Sequence, residues 1–331
     1  MNAGISLRVA VLFGGDSPER EVSLSSGLAV CSALEEAGVE TEPIERATAL
    51  EMLEASRRSA SDVFFIALHG SWGEDGRLQA ALDLMGKVYT GSGPTACALA
   101  MDKRTSKALF AMNDVPTPEA VYLDIEHGPA EMDVGRAVGA LEKWSKMVVK
   151  PSGCGSTVGV NIVSSAGEVE KALAAAALYD SSVIVEEYVP GREITVTVWE
   201  EGSNTSTLPV VEIAPKSGFY DYQAKYTAGK TEYICPAILS PEVEEKVSRA
   251  AVAAHRSLGC RIYSRVDMRL TDGGLPSVLE VNTAPGMTAT SLVPKSAAAR
   301  GWTFSELAWR IVMSSIDLRG KGNCLLSRRN Y

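Results

Sequence analysis

Short apolar runs alternate with amphipathic stretches along most of this chain. Residues 7–13, LRVAVLF, hold the five-residue apolar run Val9–Phe13 and predict a buried strand. Ser25–Ala37 follows with helical spacing and stops at Gly38, a residue suited to ending a helix. Asp62–Leu68, DVFFIAL, predicts a second buried strand. The loop HGSWGEDG then leads into a helix that ends near Met85. Strands alternating with helices imply a parallel sheet. Pro94 fits the first position of a helix running through MDKRTSKALFAM, and VPTPEA at 115–120 reads as a breaker-rich joint.

Beyond the joint the pattern changes. Met147–Lys150 and Val158–Val163 predict strands flanking the loop PSGCGST, and Ala166–Leu178 predicts a helix. Val183–Glu187 and Arg192–Val198 predict strands around a Pro190–Gly191 turn, with another strand at 208–213. Residues 214–236 form a long excursion, which in a compact domain is usually functional. A helix over Glu242–Leu258 precedes two strands, Arg261–Leu270 and Pro276–Val281, joined by Thr-Asp-Gly-Gly. From about Asp317 the periodicity is lost in LRGKGNCLLSRRNY, which predicts a loosely held basic tail.

Composition narrows the classes. The 331 residues suggest two or three domains, and 46% hydrophobic with 22% charged residues excludes a disordered or collagen-like chain. A net charge of −9 argues against a nucleic-acid partner. No apolar run is long enough for a membrane span, and the first run is too short for the core of a secretory signal. The six cysteines are scattered without a CxxC pair, which fits a reducing cytoplasm and no disulfide framework. Three histidines are too few for a His-rich metal site. Ala224–Thr231, AKYTAGKT, lacks the first glycine and the flanks of a Walker A loop. Gly14–Gly15 lacks the third glycine of a dinucleotide turn. His127 and His255 read as structural or solvent-exposed.

Four segments carry chemistry. A hairpin centred between Gly273 and Gly274 would set Asp267 opposite Glu280 and Arg265 opposite Asn282, with Leu279 and Val281 on the other face. Two carboxylates and an amide with an adjacent Arg suit Mg²⁺ holding a polyphosphate. Lys150 closes a strand before a Gly/Ser/Thr loop that offers N–H groups and hydroxyls to phosphate. IVEEYVPGREITV offers a connector whose backbone could read an adenine edge, with a Glu for ribose hydroxyls. FYDYQAKYTAGKTEY, rich in aromatics and lysines, reads as a lid over a phosphate site with Lys225 as its charge, and the loop Ser217–Thr231 is expected to be mobile without nucleotide and ordered with it.

Together these segments resemble the ATP-grasp superfamily and, within it, the D-alanine–D-alanine ligase family. GGDSPEREVSLSSG, ALHGSWGEDGRLQ, YTGSGP, MDK, VKPS, FYDYQAKY, CPA and VNTAPGMT followed by SLVP occur in the family's order and spacing between Leu7 and Ser315. The resemblance implies an α/β ATP-grasp fold: a Rossmann-like N-terminal domain over 1–100, then lobes over 101–188 and 189–316 that clamp ATP. It implies that Lys103 and Lys150 contact phosphates, that Glu186 and the Val189 backbone read adenine, and that Glu193 reads ribose. Asp267, Glu280 and Asn282 would hold two Mg²⁺, with Mn²⁺ as a substitute. Lys225 and Arg265 would neutralise the transferring phosphoryl group. Glu19 would hold the first D-alanine's ammonium with His69 nearby, Ser156 and Tyr226 completing its hydrogen-bonded set. Gly286 N–H and Arg265 would form an oxyanion hole, and Ser291 would hold the second D-alanine's carboxylate. In this family Tyr at the position of Tyr226 accompanies amine acceptors, and Phe accompanies hydroxy acids.

The resemblance further implies ATP-dependent synthesis of D-alanyl-D-alanine for peptidoglycan and cell shape, by a cytoplasmic homodimer. Gln223 and Thr290 depart from the acid and His that relatives often carry. The near alternative is a relative making a D-alanyl ester or another D-dipeptide. Alternatives of other classes are a nucleotide-binding dehydrogenase and a non-catalytic nucleotide sensor.

Overall fold

The computed structural model describes residues 7–155, 157–215 and 230–327. The first apolar run forms β1 (Arg8–Gly14). It lies between β2 (Glu40–Arg46) and β3 (Val63–Ile66), with β4 (Val88–Tyr89) at the edge, in a fully parallel sheet of order β2–β1–β3–β4. Strand β1 has Val9, Ala10, Val11 and Leu12 wholly buried, as a central parallel strand with both faces covered requires. Strand β2 had no signal in the sequence. ETEPIER buries only Ile44 and carries Pro43, so it reads as loop until its edge position is known.

The first helix spans Arg20–Glu36 rather than starting at Ser25, so Glu19 occupies its N-cap position. The Gly14–Gly15 turn is close to the backbone: a Cβ on Gly14 would stand 2.5 Å from Arg46 O, and its φ is +104°.

Pro94 does stand at a helix start, but the helix it opens stops at Met101, and a second helix runs over Lys103–Met112. Asp102 makes the break. Its carboxylate accepts from the N–H groups of Arg104 and Thr105 at 3.0 and 3.3 Å and from the Ser152 hydroxyl at 2.6 Å. Capping of this strength outweighs the helical pattern on either side.

The next two sheets are antiparallel. One contains β5 (Ala120–Asp124), β6 (Met147–Pro151), β7 (Asn161–Val163) and β8 (Ser182–Glu187) in the order β5–β8–β6–β7. Helices Glu131–Trp144 and Ala166–Ala177 cover one face around Leu123, Val149 and Leu173. The other contains β9 (Arg192–Glu201), β10 (Asn204–Thr207), β11 (Val211–Pro215), β12 (Thr231–Ile234), β13 (Tyr263–Leu270) and β14 (Pro276–Asn282). Its order is β12–β11–β9–β13–β14, with β10 beside β9. Helix Pro241–Ser257 packs on it through Val247, Ala251 and Ala254, in one core with Ala96 and Phe110 from the two helices around Asp102.

The chain then returns to the first sheet. Helix Phe304–Ser327 buries Leu307, Ile311 and Val312 with Val30 and Leu34 of the first helix. The expected loose tail from Asp317 is therefore corrected: residues 317–327 continue this helix. Arg319 anchors it, donating to the carbonyls of Tyr89 and Gly91 at 2.8 Å each, with its guanidinium 3.8 Å from the centre of the Tyr89 ring. Cys31, Cys97, Cys154, Cys235 and Cys260 are unpaired, and among the described residues no helix is long and apolar enough to cross a membrane.

Candidate active site

A cleft of about 550 Å³ opens between the two antiparallel sheets and the C-terminal edge of the parallel one. Its lining includes Glu19, His69, Lys103, Lys150, Glu186, Val189, Glu193, Arg265, Asp267, Glu280, Asn282, Gly286 and Ser291. The remaining candidates, Ser156, Lys225 and Tyr226, lie outside the described residues, as does nearly all of the expected lid.

Hairpin β13–β14 carries the acidic wall. Asp267 pairs with Glu280 and Arg265 with Asn282, as the sequence suggested. A bulge interrupts the ladder, so that Met268 pairs with Val278 and Leu270 with Pro276. The extra residue is Leu279, and residues 1 and 2 of a bulge point to the same side. Leu279 therefore lines the cleft beside Glu280, and only Val281 joins the core. The expectation that Leu279 faces away is corrected for this reason.

Each acid of this wall has a cationic partner. Arg265 grips Asp267 with both arms of its fork, at 2.9 and 2.7 Å. Lys103 lies 3.1 Å from Glu280 and donates to Cys154 O at 2.7 Å. Burial opposes charge on Lys103, and Glu280 more than reverses this, holding its pKa above the ordinary lysine value. The break at Asp102 is what puts Lys103 on the first turn of its helix, aimed into the cleft.

A second, buried cluster lies beside the first. Glu186 sits between Lys150, across the β6–β8 pair, and Lys107, 3.0 Å away on the helix after Asp102. Burial favours the neutral acid, but Lys150 and Lys107 outweigh it and hold the Glu186 carboxyl below its ordinary value. Lys107 also donates to Thr117 Oγ1 at 2.7 Å and Pro118 O at 3.0 Å, tying the Pro-rich joint to this cluster. Lys107 was missed in the sequence. Its signal was the i, i+4 spacing from Lys103, which puts both lysines on one helix face.

At the mouth, Val189 O accepts from Arg269 Nε at 3.1 Å, and Arg269 lies 3.5 Å from Glu193. Arg269 is a second residue the sequence reading passed over. It follows Arg265 and Asp267 in the same alternation and so faces the same side.

Glu19 adjoins the 153–155 loop. Its carboxylate stands 3.8 Å from where a Gly155 Cβ would be and 2.8 Å from a Gly70 Cβ, so Gly70 (φ +69°) admits no larger side chain. Ser291 stands at the N-cap position of helix Leu292–Ala299, and its hydroxyl, making no bond to the helix's first N–H groups, accepts from Thr288 N–H at 3.0 Å. A Cβ on Gly286 would stand 3.1 Å from Ser291 Oγ, so these two groups adjoin.

Asp267, Glu280 and Asn282 supply an all-oxygen donor set, which fits a hard cation such as Mg²⁺. Among the described residues no group of three or more His, Cys, Asp or Glu could hold a metal. Two carboxylates leave most of an octahedron to phosphate oxygens and water, so the set suits a nucleotide-bound metal better than a resident one.

A parallel-sheet unit followed by two antiparallel sheets that close on a cleft lined with lysines and acids defines an ATP-grasp protein. Comparison with known proteins narrows this. Residues 110–313 match the family described as D-ala D-ala ligase C-terminus, and residues 40–92 match its N-terminus. The D-alanine–D-alanine ligase of Bordetella avium is 43% identical over 92% of this chain and 93% of its own. That of an Anaeromyxobacter species is 45% identical over 92% and 96%. A D-alanine–D-alanine ligase from Bacillus anthracis, solved in complex with ATP, superposes with a TM-score of 0.82 at 33% identity, covering 96% of this chain and 100% of that one. A D-Ala:D-Ser ligase from Enterococcus faecalis gives 0.79 at 29%, covering 94% and 100%. The chain belongs to the D-alanine–D-alanine ligase family.

Proposed function

We propose that this protein joins two D-alanine molecules at the expense of ATP. The observation that carries the reading is that the Lys103–Glu280 and Arg265–Asp267 pairs and Glu19 line one cleft. Such a site has paired charges for a triphosphate and an acid for an ammonium.

A carboxylate is a poor electrophile. The first D-alanine's carboxylate oxygen attacks the γ-phosphorus, the bond to the bridging oxygen breaks, and ADP leaves with a D-alanyl phosphate behind. The second D-alanine, its ammonium having lost a proton, attacks the acyl carbon. A tetrahedral oxyanion forms and then expels inorganic phosphate. No protein nucleophile is needed. Catalysis is positioning and charge neutralisation.

In this reading Lys103 and Lys150 hold phosphates, Glu186 and Val189 read adenine over Leu279, and Glu193 reads ribose. Asp267, Glu280 and Asn282 would hold Mg²⁺, which when bound supplies charge neutralisation of the triphosphate. Arg265 and the Gly286 N–H face the oxyanion. Ser291, at a helix N-terminus, receives the second carboxylate, where N–H groups and the helix dipole favour an anion. Glu19 holds the first ammonium, and Ser156, Lys225 and Tyr226 act from outside the described residues. The domain division at about residues 100 and 188, the homodimer, the cytoplasmic setting and the contribution to peptidoglycan and cell shape belong to the same proposal and rest on the family.

The test is phosphate release from ATP with D-alanine added and L-alanine as control. Stimulation by D-alanine alone is expected, and stimulation by neither or by both isomers overturns the reading. The likeness to a D-Ala:D-Ser ligase favours one second reading, a different acceptor in the same chemistry. Product analysis with D-alanine, D-serine and D-lactate together decides between them.

A further inference from the structure

The loop that carries Gly286 is held from behind by the parallel-sheet unit. His69 follows β3, and Ser26 lies in the first helix. Both are buried, at 5% and 0% exposure. His69 Nδ1 stands 3.0 Å from Ala284 O and 3.3 Å from a Glu74 oxygen. Both neighbours only accept, so Nδ1 carries the hydrogen. On the other side Ser26 Oγ accepts from Met287 N–H at 3.2 Å and lies 2.9 Å from His69 Nε2. With Nδ1 protonated in the neutral ring, Nε2 is an acceptor, and the Ser26 hydroxyl proton goes to it.

The result is a closed circuit. Met287 N–H donates to Ser26, Ser26 to His69, and His69 to Ala284 O. Ala284 and Met287 flank Pro285–Gly286. Both ends of the short segment bearing the Gly286 N–H are therefore fixed to one imidazole–hydroxyl unit. Both ring nitrogens of His69 are engaged within the protein, although the ring borders the cleft.

We propose that Ser26 and His69 act together as positioning residues for the Gly286 backbone donor, and that His69 contributes through this loop rather than by contact with substrate. The inference rests on the reading of Gly286 as an oxyanion donor. A backbone donor is effective only where the oxyanion will stand, and an error of about 1 Å costs on the order of 10²-fold in rate.

The experiment compares wild type with Ser26→Ala and His69→Asn, which keeps a donor near the Nδ1 position but loses the link to Ser26. Rate, melting temperature, ATP·Mg²⁺ affinity and affinity for a phosphinate dipeptide are measured, the phosphinate oxygen standing in for the tetrahedral oxyanion. In Ser26→Ala, kcat and phosphinate affinity should fall roughly 10- to 100-fold, with ATP affinity within about twofold of wild type. His69→Asn should lose less. An unchanged kcat in Ser26→Ala overturns the inference, and so does a parallel loss of ATP affinity and melting temperature, which marks a merely structural role. Wild type without D-alanine-dependent phosphate release overturns the proposed function itself, and this inference with it.

Discussion

Lys107 is the buried cation whose removal tests the nucleotide wall most directly. Its side chain is 1% exposed and that of Glu186 3%, so neither charge has water to fall back on. Lys107→Met keeps the length and apolar stem and deletes the charge. Removing one partner of a buried pair costs about 3–5 kcal/mol. Lys150 still faces Glu186, which puts the expected cost near the lower limit. Thr117 and Pro118 O also lose a donor, adding about 1 kcal/mol. A loss of about 3–4 kcal/mol is expected. With an unfolding entropy of ~2.1 cal/mol/K per residue over 331 residues, this is a drop of ~4–6 °C in melting temperature. The KM for ATP should rise about tenfold, because Glu186 and the joint at 115–120 lose a shared anchor. The double variant Lys107→Met/Glu186→Gln removes the stranded charge and should recover part of the stability, with a coupling of at least ~2 kcal/mol. Scanning fluorimetry and ATP titration of the four proteins form the assay. Additive effects of the two substitutions, or a single variant within about 1 °C of wild type with unchanged KM, would refute the argument.

Glu280→Gln should lower phosphate release by at least about 10³-fold at saturating Mg²⁺ with the fold retained, and near-normal turnover would sink the proposed role of the acidic wall. Glu200, outside the cleft, is bonded to Arg261 Nε at 2.8 Å and Ile262 N–H at 2.9 Å near His255. Burial favours its neutral form, yet these partners hold it at about 2, against 4.5 for an ordinary Glu. Its contribution, roughly 3 kcal/mol, is fully present above pH ~4.5 and lost as pH falls toward ~2. Glu200→Gln should therefore melt below wild type at neutral pH, the gap should close on acidification, and a gap constant from pH ~6 to ~3 contradicts the assignment. Tyr226→Phe should keep ATP binding, lose some dipeptide synthesis and gain D-alanyl-D-lactate. An unchanged dipeptide rate without ester product shows that Tyr226 does not govern the acceptor.

The parallel unit was legible because β1 holds the unbroken apolar run Val9–Phe13 and β3 is apolar throughout, and β2 was not, because Pro43 and four glutamate and arginine positions mask an edge strand. The Asp267–Glu280 pairing came out right through two compensating departures. The turn is centred half a residue earlier than assumed, and the extra residue in β14 restores the register where the acids stand. Bulges carry no period, so neither the sequence nor its alternation could place Leu279 in the cleft. The break at Asp102 was hidden for a related reason: a side-chain cap competes with a good helical pattern, and the hydroxyl that strengthens it comes from Ser152, fifty residues on. The last helix was missed because its anchor, Arg319, bonds two carbonyls whose position only the folded chain defines.

The bulge in β14 makes this hairpin tolerant in an unusual way. In a regular ladder, deleting one residue shifts the phase of the strand and turns every outward side chain inward. Here Leu279 is a residue out of phase already, and excising it leaves Val278 and Glu280 as consecutive members of an uninterrupted ladder opposite Met268 and Asp267. The deletion would strip the nucleotide wall of one apolar surface while the carboxylates keep their partners. A chain lacking Leu279 should thus show a weakened ATP KM with its dependence on Mg²⁺ and D-alanine intact, and a lost Mg²⁺ response would mean that the kink also aims Glu280. Base recognition and charge handling would then be separable by a single codon, two functions written into one strand at different phases.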